Sequence, residues 1–328
     1  MSVDEEQLQI RVAWLYFMEG VTQGDIAERL GMTRLRVNRI LSEARASGLV
    51  GITLNSRLAE CVELEQELAE RFALQAAAII PTPVNHDQIP VQLGRAAGDF
   101  ITRYLEEHRI KGFGVGWGAT LRETLRHVRT MRRPELCVNS MMGGLTHGLE
   151  INTFEIASEL ARRLSAECEY FAAPIYAGSP ESRDTILAQD VFRGSLQRIA
   201  ANELALLSIG DLSRRSLLVG YGLPQDVDIE DLRACGAVGD VLGQFFDRNG
   251  QLIDHPLNRR AIALPLYDLR HIRTVILAAG GHNKSAAIAG ALRAGIASVL
   301  VCDVETARAA MKLAEQQDQT RERQSSNS

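Results

Sequence analysis

The chain has 328 residues, of which 46% are apolar and 23% are charged, a balance typical of a folded globular protein. This composition excludes a disordered protein, a collagen-like repeat and a disulfide scaffold. The net charge is −5, so attraction to nucleic acid has to come from a local concentration of basic residues. A zinc site is also disfavoured, because no C-x-x-C pair occurs among the five cysteines, at positions 61, 137, 168, 235 and 302.

Neither a membrane span nor a signal peptide is predicted. No apolar run approaches the roughly 20 residues that a membrane helix needs. The first six residues contain three acids, whereas a signal peptide begins with basic residues and continues with apolar ones. We therefore expect a cytoplasmic protein that makes no contact with a membrane.

Three short helices are predicted in the first 55 residues, which we interpret as a DNA-binding domain. The first helix covers residues 4–18. Thr22 is a good N-cap for the second helix, with Asp25 at the position of a capping-box acid, and Gly31 ends that helix. Thr33 begins the third helix, which Gly48 closes. Two short helices joined by such a turn are typical of a helix-turn-helix.

The third helix has the composition of a recognition helix. Residues 29–45 contain five arginines and one glutamate, so a local charge of +4 lies on an acidic protein. One face is aliphatic at i, i+3, i+4 and i+7, and the other carries groups that read base edges or grip phosphate. The alternative is a helical subdomain with a solvated arginine face. The predicted DNA-binding residues are Thr22, Gln23, Thr33, Arg34, Arg36, Asn38 and Arg39.

Residues 49–54 are apolar and predict a strand, and a linker helix follows within residues 56–75. Four apolar residues form a stripe along this helix, with Leu64 off the stripe. The helix either packs on the following domain or self-associates and sets the spacing of two DNA-binding domains. Both interpretations remain open at this point. The stripe consists of Leu58, Val62, Leu68 and Phe72.

Residues 76–315 alternate strand-like apolar runs with amphipathic helices, which predicts an α/β fold with a doubly wound, mostly parallel sheet. Asn249-Gly250 predicts a hairpin inserted into this pattern. Residues 316–328 are polar and predict a disordered tail. The candidate helices are residues 119–128, 153–164 and 182–201, and the candidate strands are residues 77–80, 112–115, 136–141, 169–175, 204–209, 261–266, 274–278 and 297–301.

Glycine-rich junctions follow three of the predicted strands, where ligands bind in such sheets. Residues 112–120 run from a strand into a helix, and their glycines allow backbone N–H groups to converge on an anion. The spacing matches neither a dinucleotide fingerprint nor a Walker loop, and no cofactor is expected. Residues 141–144, with Gly143, predict a second ligand-facing turn.

The third junction, residues 278–285, places Lys284 near the start of a helix, where a free ammonium is disfavoured by the helix dipole. This lysine therefore either meets a bound phosphate or carboxylate or extends to solvent. Asp240 lies among small residues and either accepts hydrogen bonds from sugar hydroxyls or caps a turn. The sequence does not separate these alternatives.

The whole chain resembles the SorC family of sugar-responsive bacterial transcriptional regulators. The resemblance rests on GVTQGDIAERLGMTRLRVNRIL, VGWGATL, FAAPIYAGSP, GAVGDVLGQFFDRNG and AAGGHNKSAAIAGALRAG, in this order. It implies an effector domain similar in fold to glucosamine-6-phosphate deaminase and a tetrameric assembly. It also implies an effector pocket that is lined by Gly116, Gly118, Ala119, Thr120, Asp240 and Lys284.

We therefore predict a DNA-binding regulator of carbohydrate metabolism that is not an enzyme. Its expected partners are operator DNA, a sugar, sugar phosphate or polyol effector, and further copies of the chain in a homo-oligomer. The alternative is a sugar-phosphate isomerase or deaminase with a DNA-binding appendage, which would need a general acid and base. The seven histidines offer no evident pair with a carboxylate.

Overall fold

A computed structural model of the chain describes residues 3–46, 49–50, 57–145 and 152–326. It divides into two compact units, Met1–Ser56 and Arg57–Ser328. The strand predicted for residues 49–54 lies mostly outside the described residues. No helix within the described ranges is both long and apolar enough to cross a membrane.

The N-terminal unit consists of α1 (Val3–Phe17), α2 (Gln23–Arg29) and α3 (Arg34–Ala46). The predicted cap is confirmed, because the Thr22 hydroxyl accepts a hydrogen bond from the Asp25 N–H and lies 2.7 Å from its carboxylate. Gly31 has φ +61°, and the Met32 N–H donates to the Ala27 carbonyl at 2.9 Å. This left-handed C-cap stops α2 and turns the chain into α3.

The predicted aliphatic face of α3 forms the core of this unit. Val37, Ile40, Leu41 and Ala44 are buried, and the first three pack with Val12 of α1 and with α2. Ala27 is buried at the approach of α2 to its neighbours, where a larger side chain would separate the helices. The basic face of α3 is left on the surface of the unit.

The C-terminal unit is built around a seven-stranded parallel sheet of order β1-β9-β8-β5-β2-β3-β4. The chain proceeds in one direction from β2 to β4 and in the other from β5 to β9, so the switch point lies between β2 and β5. A separate hairpin is formed by β6 and β7. The strands are β1 (Ala76–Ile80), β2 (Gly112–Val115), β3 (Cys137–Ser140), β4 (Glu167–Glu169), β5 (Leu204–Leu207), β6 (Gly239–Val241), β7 (Gln244–Phe246), β8 (Thr274–Ala278) and β9 (Val299–Asp303).

Helices cover both faces of the sheet, as the doubly wound prediction requires. Within β5, Ala205 and Leu207 face one apolar core while Leu204 and Leu206 face the other. The helices of this unit are α4 (Arg57–Phe72), α5 (Ile89–Glu107), α6 (Ala119–His127), α7 (Thr153–Leu164), α8 (Pro180–Leu187), α9 (Asp190–Ala200), α10 (Ile229–Ala234), α11 (Ser285–Arg293) and α12 (Val304–Ser326).

Helices α5 and α6 pack closely because glycines of α5 face α6. A Cβ at Gly94 would lie 2.6 Å from the Cβ of Glu123, and one at Gly98 would lie 2.6 Å from the Cβ of His127. The two glycines are four residues apart and therefore share one face of α5. This close contact fixes the position of α6, whose N-terminus reaches the carboxyl edge of the sheet.

Helix α4 packs on its own unit rather than standing free. It contacts β1 and α12 and buries Cys61, Leu64 and Leu68, whereas Val62 is half exposed. The predicted stripe was therefore wrong at Val62 and at Leu64, because the packed face runs along positions 61, 64 and 68. The interpretation as a helix packed on the following domain is the one that the structure supports.

The predicted disordered tail is helical over residues 316–326, as a continuation of α12. Asp318 forms ion pairs of 2.7 Å with both Arg71 of α4 and Arg293 of α11. These two arginines provide a fixed partner for a segment whose polar composition predicted no structure. The prediction of disorder from polar composition was therefore wrong for residues 316–326.

Three further predictions needed correction. The strand predicted at residues 169–175 is short, since β4 spans Glu167–Glu169 and only isolated bridges follow, at Pro174 and Tyr176. Residues 261–266 form isolated bridges rather than a strand. The helix predicted at residues 182–201 is two helices, α8 and α9, separated at positions 188–189.

The predicted hairpin at Asn249-Gly250 is confirmed, because Phe246 before the turn forms an antiparallel bridge with Leu252 after it.

Candidate functional site

A cavity of about 360 Å³ opens at the carboxyl edge of the sheet, around the switch point between β2 and β5. The loops that follow β2, β5 and β8 form it, together with the β6–β7 hairpin. Loops at these ends are where ligands bind in doubly wound sheets. Five of the seven predicted effector residues line it, namely Gly118, Ala119, Thr120, Asp240 and Lys284.

The two remaining predicted residues, Gly116 and Gly143, lie outside the lining of this cavity. A Cβ at Gly143 would lie 2.2 Å from the carbonyl oxygen of Pro174, and its N–H donates to the Ile262 carbonyl. Gly143 is therefore a backbone packing position. A Cβ at Gly116 would lie 3.4 Å from the side chains of Leu207 and Leu242, an ordinary van der Waals distance, so the packing leaves room for a small side chain there.

The earlier glycines of the first junction also have a packing role. Gly112 and Gly114 leave room for Asn202, whose amide exchanges two hydrogen bonds of 2.8 Å with the buried amide of Asn139. Two of the glycines that suggested an anion-binding loop, Gly112 and Gly114, therefore accommodate this amide pair.

The N-terminus of α6 faces the cavity. Gly118 precedes the helix with φ +136°, a conformation that favours glycine, and Ala119 and Thr120 form the first turn. The first N–H groups of a helix have no acceptor within the helix, and the helix dipole adds partial positive charge there. This end of the cavity therefore favours oxygen-rich or anionic groups.

Asp240 fills one of the two roles that the sequence left open, that of capping a turn. One carboxylate oxygen, Oδ2, accepts a hydrogen bond of 3.1 Å from the Gly243 N–H and so caps the β6–β7 turn. The other, Oδ1, is buried without a hydrogen-bond partner among the described residues. Burial raises the pKa of Asp240 to about 7. A buried acceptor of this kind demands a donor, and a ligand hydroxyl can provide one.

Gly210 leaves the space that Oδ1 occupies. A Cβ at Gly210 would lie 2.0 Å from Oδ1, and the backbones of Gly210 and Asp240 exchange hydrogen bonds of 2.9 and 3.2 Å. The loop after β5 and the β6–β7 hairpin are thereby held together. Any side chain at position 210 would displace the carboxylate.

Lys284 lies half-buried at the start of α11 and lines the cavity. Burial lowers the pKa of its ammonium, whereas the nearby carboxylates of Asp211 and Asp240 act in the other direction. Asp211 is itself fixed by the Asn283 amide at 2.5 Å and by the Ser213 N–H at 2.6 Å. The cavity therefore presents donors and acceptors side by side, as a polyhydroxylated ligand requires.

The loop that carries Lys284 is held by hydrogen bonds to residues at the end of β9 and the start of α12. The Gly281 N–H donates to the carboxylate of Asp303 at 3.1 Å and to the hydroxyl of Thr306 at 2.8 Å. Asp303 is fully buried and also accepts a hydrogen bond from Thr82. This network positions the loop after β8 relative to β9 and α12.

Sequence reasoning missed Asp211, Asn283 and the rim residue Arg215, all of which line the cavity. A signal for Asp211 was available, because Gly210-Asp211 directly follows a predicted apolar strand. Arg215 gave no such signal, since it stands in a segment without helical or strand periodicity. A turn of π-helix, Leu218–Gly222, follows that segment.

The predicted DNA-binding residues lie on the surface of the N-terminal unit. Thr22, Gln23 and Arg34 line a shared surface depression with Tyr16. On α3, Arg39 forms an ion pair of 2.9 Å with Glu43, an exposed contact that contributes little to stability. The remaining predicted residues, Thr33, Arg36 and Asn38, are exposed.

A helix-turn-helix unit and an α/β unit with a ligand-sized cavity in one chain define a ligand-responsive transcriptional regulator. Residues 56–312 match the family described as "Putative sugar-binding domain". The chain belongs to the SorC family of sugar-binding transcriptional regulators.

Individual relatives agree with this assignment. The chain is 30% identical to the erythritol catabolism regulatory protein EryD of Brucella abortus, over 94% of this chain and 98% of the relative. It is also 30% identical to the transcriptional regulator LsrR of Escherichia coli K12, over 94% and 95%. The crystal structure of the full-length sorbitol operon regulator SorC from Klebsiella pneumoniae superposes with a TM-score of 0.71 at 26% identity, covering 95% of this chain and 100% of that one.

Proposed function

We propose that this regulator binds a sugar, sugar phosphate or polyol in the cavity and that occupancy changes its affinity for operator DNA. The observation that carries the proposal is the buried, unpartnered Oδ1 of Asp240, which lies in the same cavity as Lys284 and the α6 N-terminus. The names of EryD and of the sorbitol operon regulator refer to polyol metabolism and support the same ligand class.

Each side chain has a distinct role in the proposed complex. Asp240 accepts hydrogen bonds from ligand hydroxyls, and Asp211 with Asn283 binds a second hydroxyl. Lys284 and the first turn of α6, with Thr120, bind the most oxygen-rich or anionic end of the ligand. Ala119 contributes only a methyl group, which leaves space beside that end.

On the DNA side, α3 enters the major groove and its exposed polar residues contact base edges and phosphates. A homo-oligomer presents two such helices to half-sites that lie about 34–36 Å apart. Effector binding favours one arrangement of the copies, and a coupling of about 1–3 kcal/mol changes operator affinity roughly 5–150-fold.

A thermal-shift screen of four- to six-carbon polyols, aldoses and their phosphates tests the effector site, with Kd values from calorimetry. We expect Asp240→Asn to weaken every ligand and Lys284→Met to weaken phosphorylated ligands most. Lys111→Met is the matched control, because Lys111 is an exposed lysine outside the cavity. Unchanged Kd values in both cavity variants would remove these residues from the binding site.

The DNA surface is tested by fluorescence anisotropy on the operator. Arg34→Ala and Arg36→Ala are expected to weaken binding and to reduce its salt dependence, while effector binding stays unchanged. Arg109→Ala, a change at an exposed arginine of the other unit, serves as the control. Operator affinity equal to that of the wild type in both α3 variants would exclude this face as the DNA contact.

The enzyme alternative has one observation in its favour, since a carboxyl with a pKa of about 7 suits general acid–base chemistry. We propose that the cavity binds its ligand without turnover, because the relatives are named as regulators. Incubation of the purified protein with each ligand that binds, followed by NMR, tests this directly. Conversion of any of them would establish the enzyme instead.

A further inference from the structure

The β6–β7 hairpin, which carries Asp240, turns through a backbone conformation that its sequence does not favour. Val241 pairs with Gln244, so Leu242 and Gly243 form a two-residue turn. Both have positive φ, +54° at Leu242 and +73° at Gly243, which is the pattern of a type I′ turn. Asparagine followed by glycine suits this turn, whereas leucine rarely adopts the left-handed conformation. Contacts from outside the hairpin are therefore needed to hold it.

Tyr176 supplies such a contact. Its hydroxyl donates a hydrogen bond of 2.6 Å to the carbonyl of Gly243. The N–H of the same glycine donates to Oδ2 of Asp240 at 3.1 Å. Burial raises the pKa of the Tyr176 hydroxyl well above its ordinary value, so the hydroxyl keeps its proton over the range in which Asp240 titrates. One residue of the turn is thus held by the tyrosine on one side and by the carboxylate on the other.

The backbone that carries Tyr176 is itself fixed. Tyr176 forms an antiparallel bridge with Ala261, and the Ala177 N–H donates to the Arg260 carbonyl at 2.9 Å. Nε of Arg260 donates back to the Ala177 carbonyl at 2.8 Å, and its guanidinium forms an ion pair of 2.7 Å with Asp226. The hydroxyl therefore has a defined position against the turn.

We propose that Tyr176 is a positioning residue for effector binding, which holds the Leu242-Gly243 turn and thereby sets the Asp240 carboxylate. Among the described residues, Tyr176 lies outside the lining of the cavity, whereas Asp240 and Leu242 both line it. The tyrosine therefore acts through the turn and not by touching the effector. This inference rests on the proposed effector site and adds a residue that the cavity itself does not contain.

Hydrogen exchange of the full-length protein without any ligand tests the contact. Tyr176→Phe removes the hydroxyl and keeps the ring. Mass spectrometry of a peptide that spans residues 240–246 is expected to show several-fold faster exchange in this variant, because the turn opens more often. Tyr104→Phe is the matched control, since it removes another tyrosine hydroxyl of the same unit, which lies 3.0 Å from the Thr274 hydroxyl and outside the cavity.

Calorimetry measures the consequence for binding. The probes are erythritol, xylitol, sorbitol and glucose 6-phosphate, which belong to the proposed ligand class. For each probe that binds the wild type, Tyr176→Phe is expected to raise the Kd roughly 2- to 13-fold, the effect of one hydrogen bond. Tyr104→Phe is expected to leave the Kd unchanged.

Leu242→Asn separates an effect through the turn from any other role of the hydroxyl. An Asn-Gly pair favours the type I′ turn by itself, so the turn then depends less on Tyr176. In the Leu242→Asn background, Tyr176→Phe is expected to change both the exchange rate and the Kd by smaller factors than in the wild-type background. The comparison uses the ratio within each background, because Leu242 lines the cavity and its own replacement changes the Kd.

The remaining outcomes overturn the inference, each for a different reason. Faster exchange with an unchanged Kd makes Tyr176 a purely structural residue. A raised Kd with unchanged exchange, or equal factors in both backgrounds, indicates that the hydroxyl acts on the effector by another route. If the wild type binds a probe and Tyr176→Phe alters neither quantity, only this inference fails. If no probe binds the wild type, the proposed effector site fails and this inference fails with it.

Discussion

Replacing Asp240 by asparagine is expected to stabilise the effector unit while weakening effector binding. Burial raises the pKa of Asp240 from 3.8 to about 7, so the folded chain retains this proton to a higher pH than the unfolded chain does. Ionisation therefore costs folding free energy, and this cost accumulates as the pH rises from about 4 to about 7. Asparagine carries no charge, and its side-chain oxygen can still accept the hydrogen bond from Gly243.

The magnitude follows from the size of the shift. Each pKa unit corresponds to 1.36 kcal/mol, so the full cost above pH 7 is about 4 kcal/mol. Between pH 5 and pH 8 the stabilisation by Asp240→Asn is expected to grow by about 2–3 kcal/mol. Effector hydroxyls donate better to the ionised carboxylate, so effector affinity for the wild type rises as the pH increases towards 7.

Urea unfolding at pH 5 and pH 8, followed by circular dichroism, measures the difference between variant and wild type. Asp254→Asn is the control, since that carboxylate is exposed and lies outside the cavity. Equal stabilisation at both pH values would refute the reasoning, because it would show that Asp240 ionises as freely in the folded chain as in the unfolded chain.

Substitutions at three glycines give further expectations. Gly98→Ala places a Cβ 2.6 Å from that of His127 and is expected to cost about 1–3 kcal/mol in thermal or urea unfolding, whereas Gly178→Ala, with no atom within 4 Å, should change stability by less than about 0.5 kcal/mol. Gly210→Ala displaces the Asp240 carboxylate and is expected to weaken effector binding more than tenfold in calorimetry with operator affinity retained. Effector affinity equal to that of the wild type in this variant would contradict the assigned position of that carboxylate.

Local signals in the sequence predicted most of the elements that matter for function. The Thr22 cap, the Gly31 turn and the buried face of α3 depend on interactions within a few residues, and such interactions can be read from spacing. The same holds for the ends of β2 and β8, where an apolar run meets glycines and a helix start. Four of the five predicted residues that line the cavity, Gly118, Ala119, Thr120 and Lys284, follow from these junctions, whereas Asp240 lies in the β6–β7 hairpin.

The errors concern contacts between distant segments. Gly143 was taken for a ligand turn because nothing in the sequence shows that the Pro174 backbone lies against it. The polar tail was taken for a disordered segment because its partners, Arg71 and Arg293, are far away in the chain. The packed face of α4 was predicted to include Val62 and exclude Leu64, whereas Cys61 and Leu64 are buried, and the reason is the same. Spacing along one helix does not reveal which neighbour it meets.

Ala119 has a consequence for how the ligand range of this regulator can change. Its side chain is one methyl group, set where the first turn of α6 enters the cavity. In the proposed complex, a larger side chain at this position narrows the cavity beside the first turn of α6 and excludes bulkier ligands. Exchange of this one residue then acts as a size filter, in natural variation as well as in the design of a biosensor.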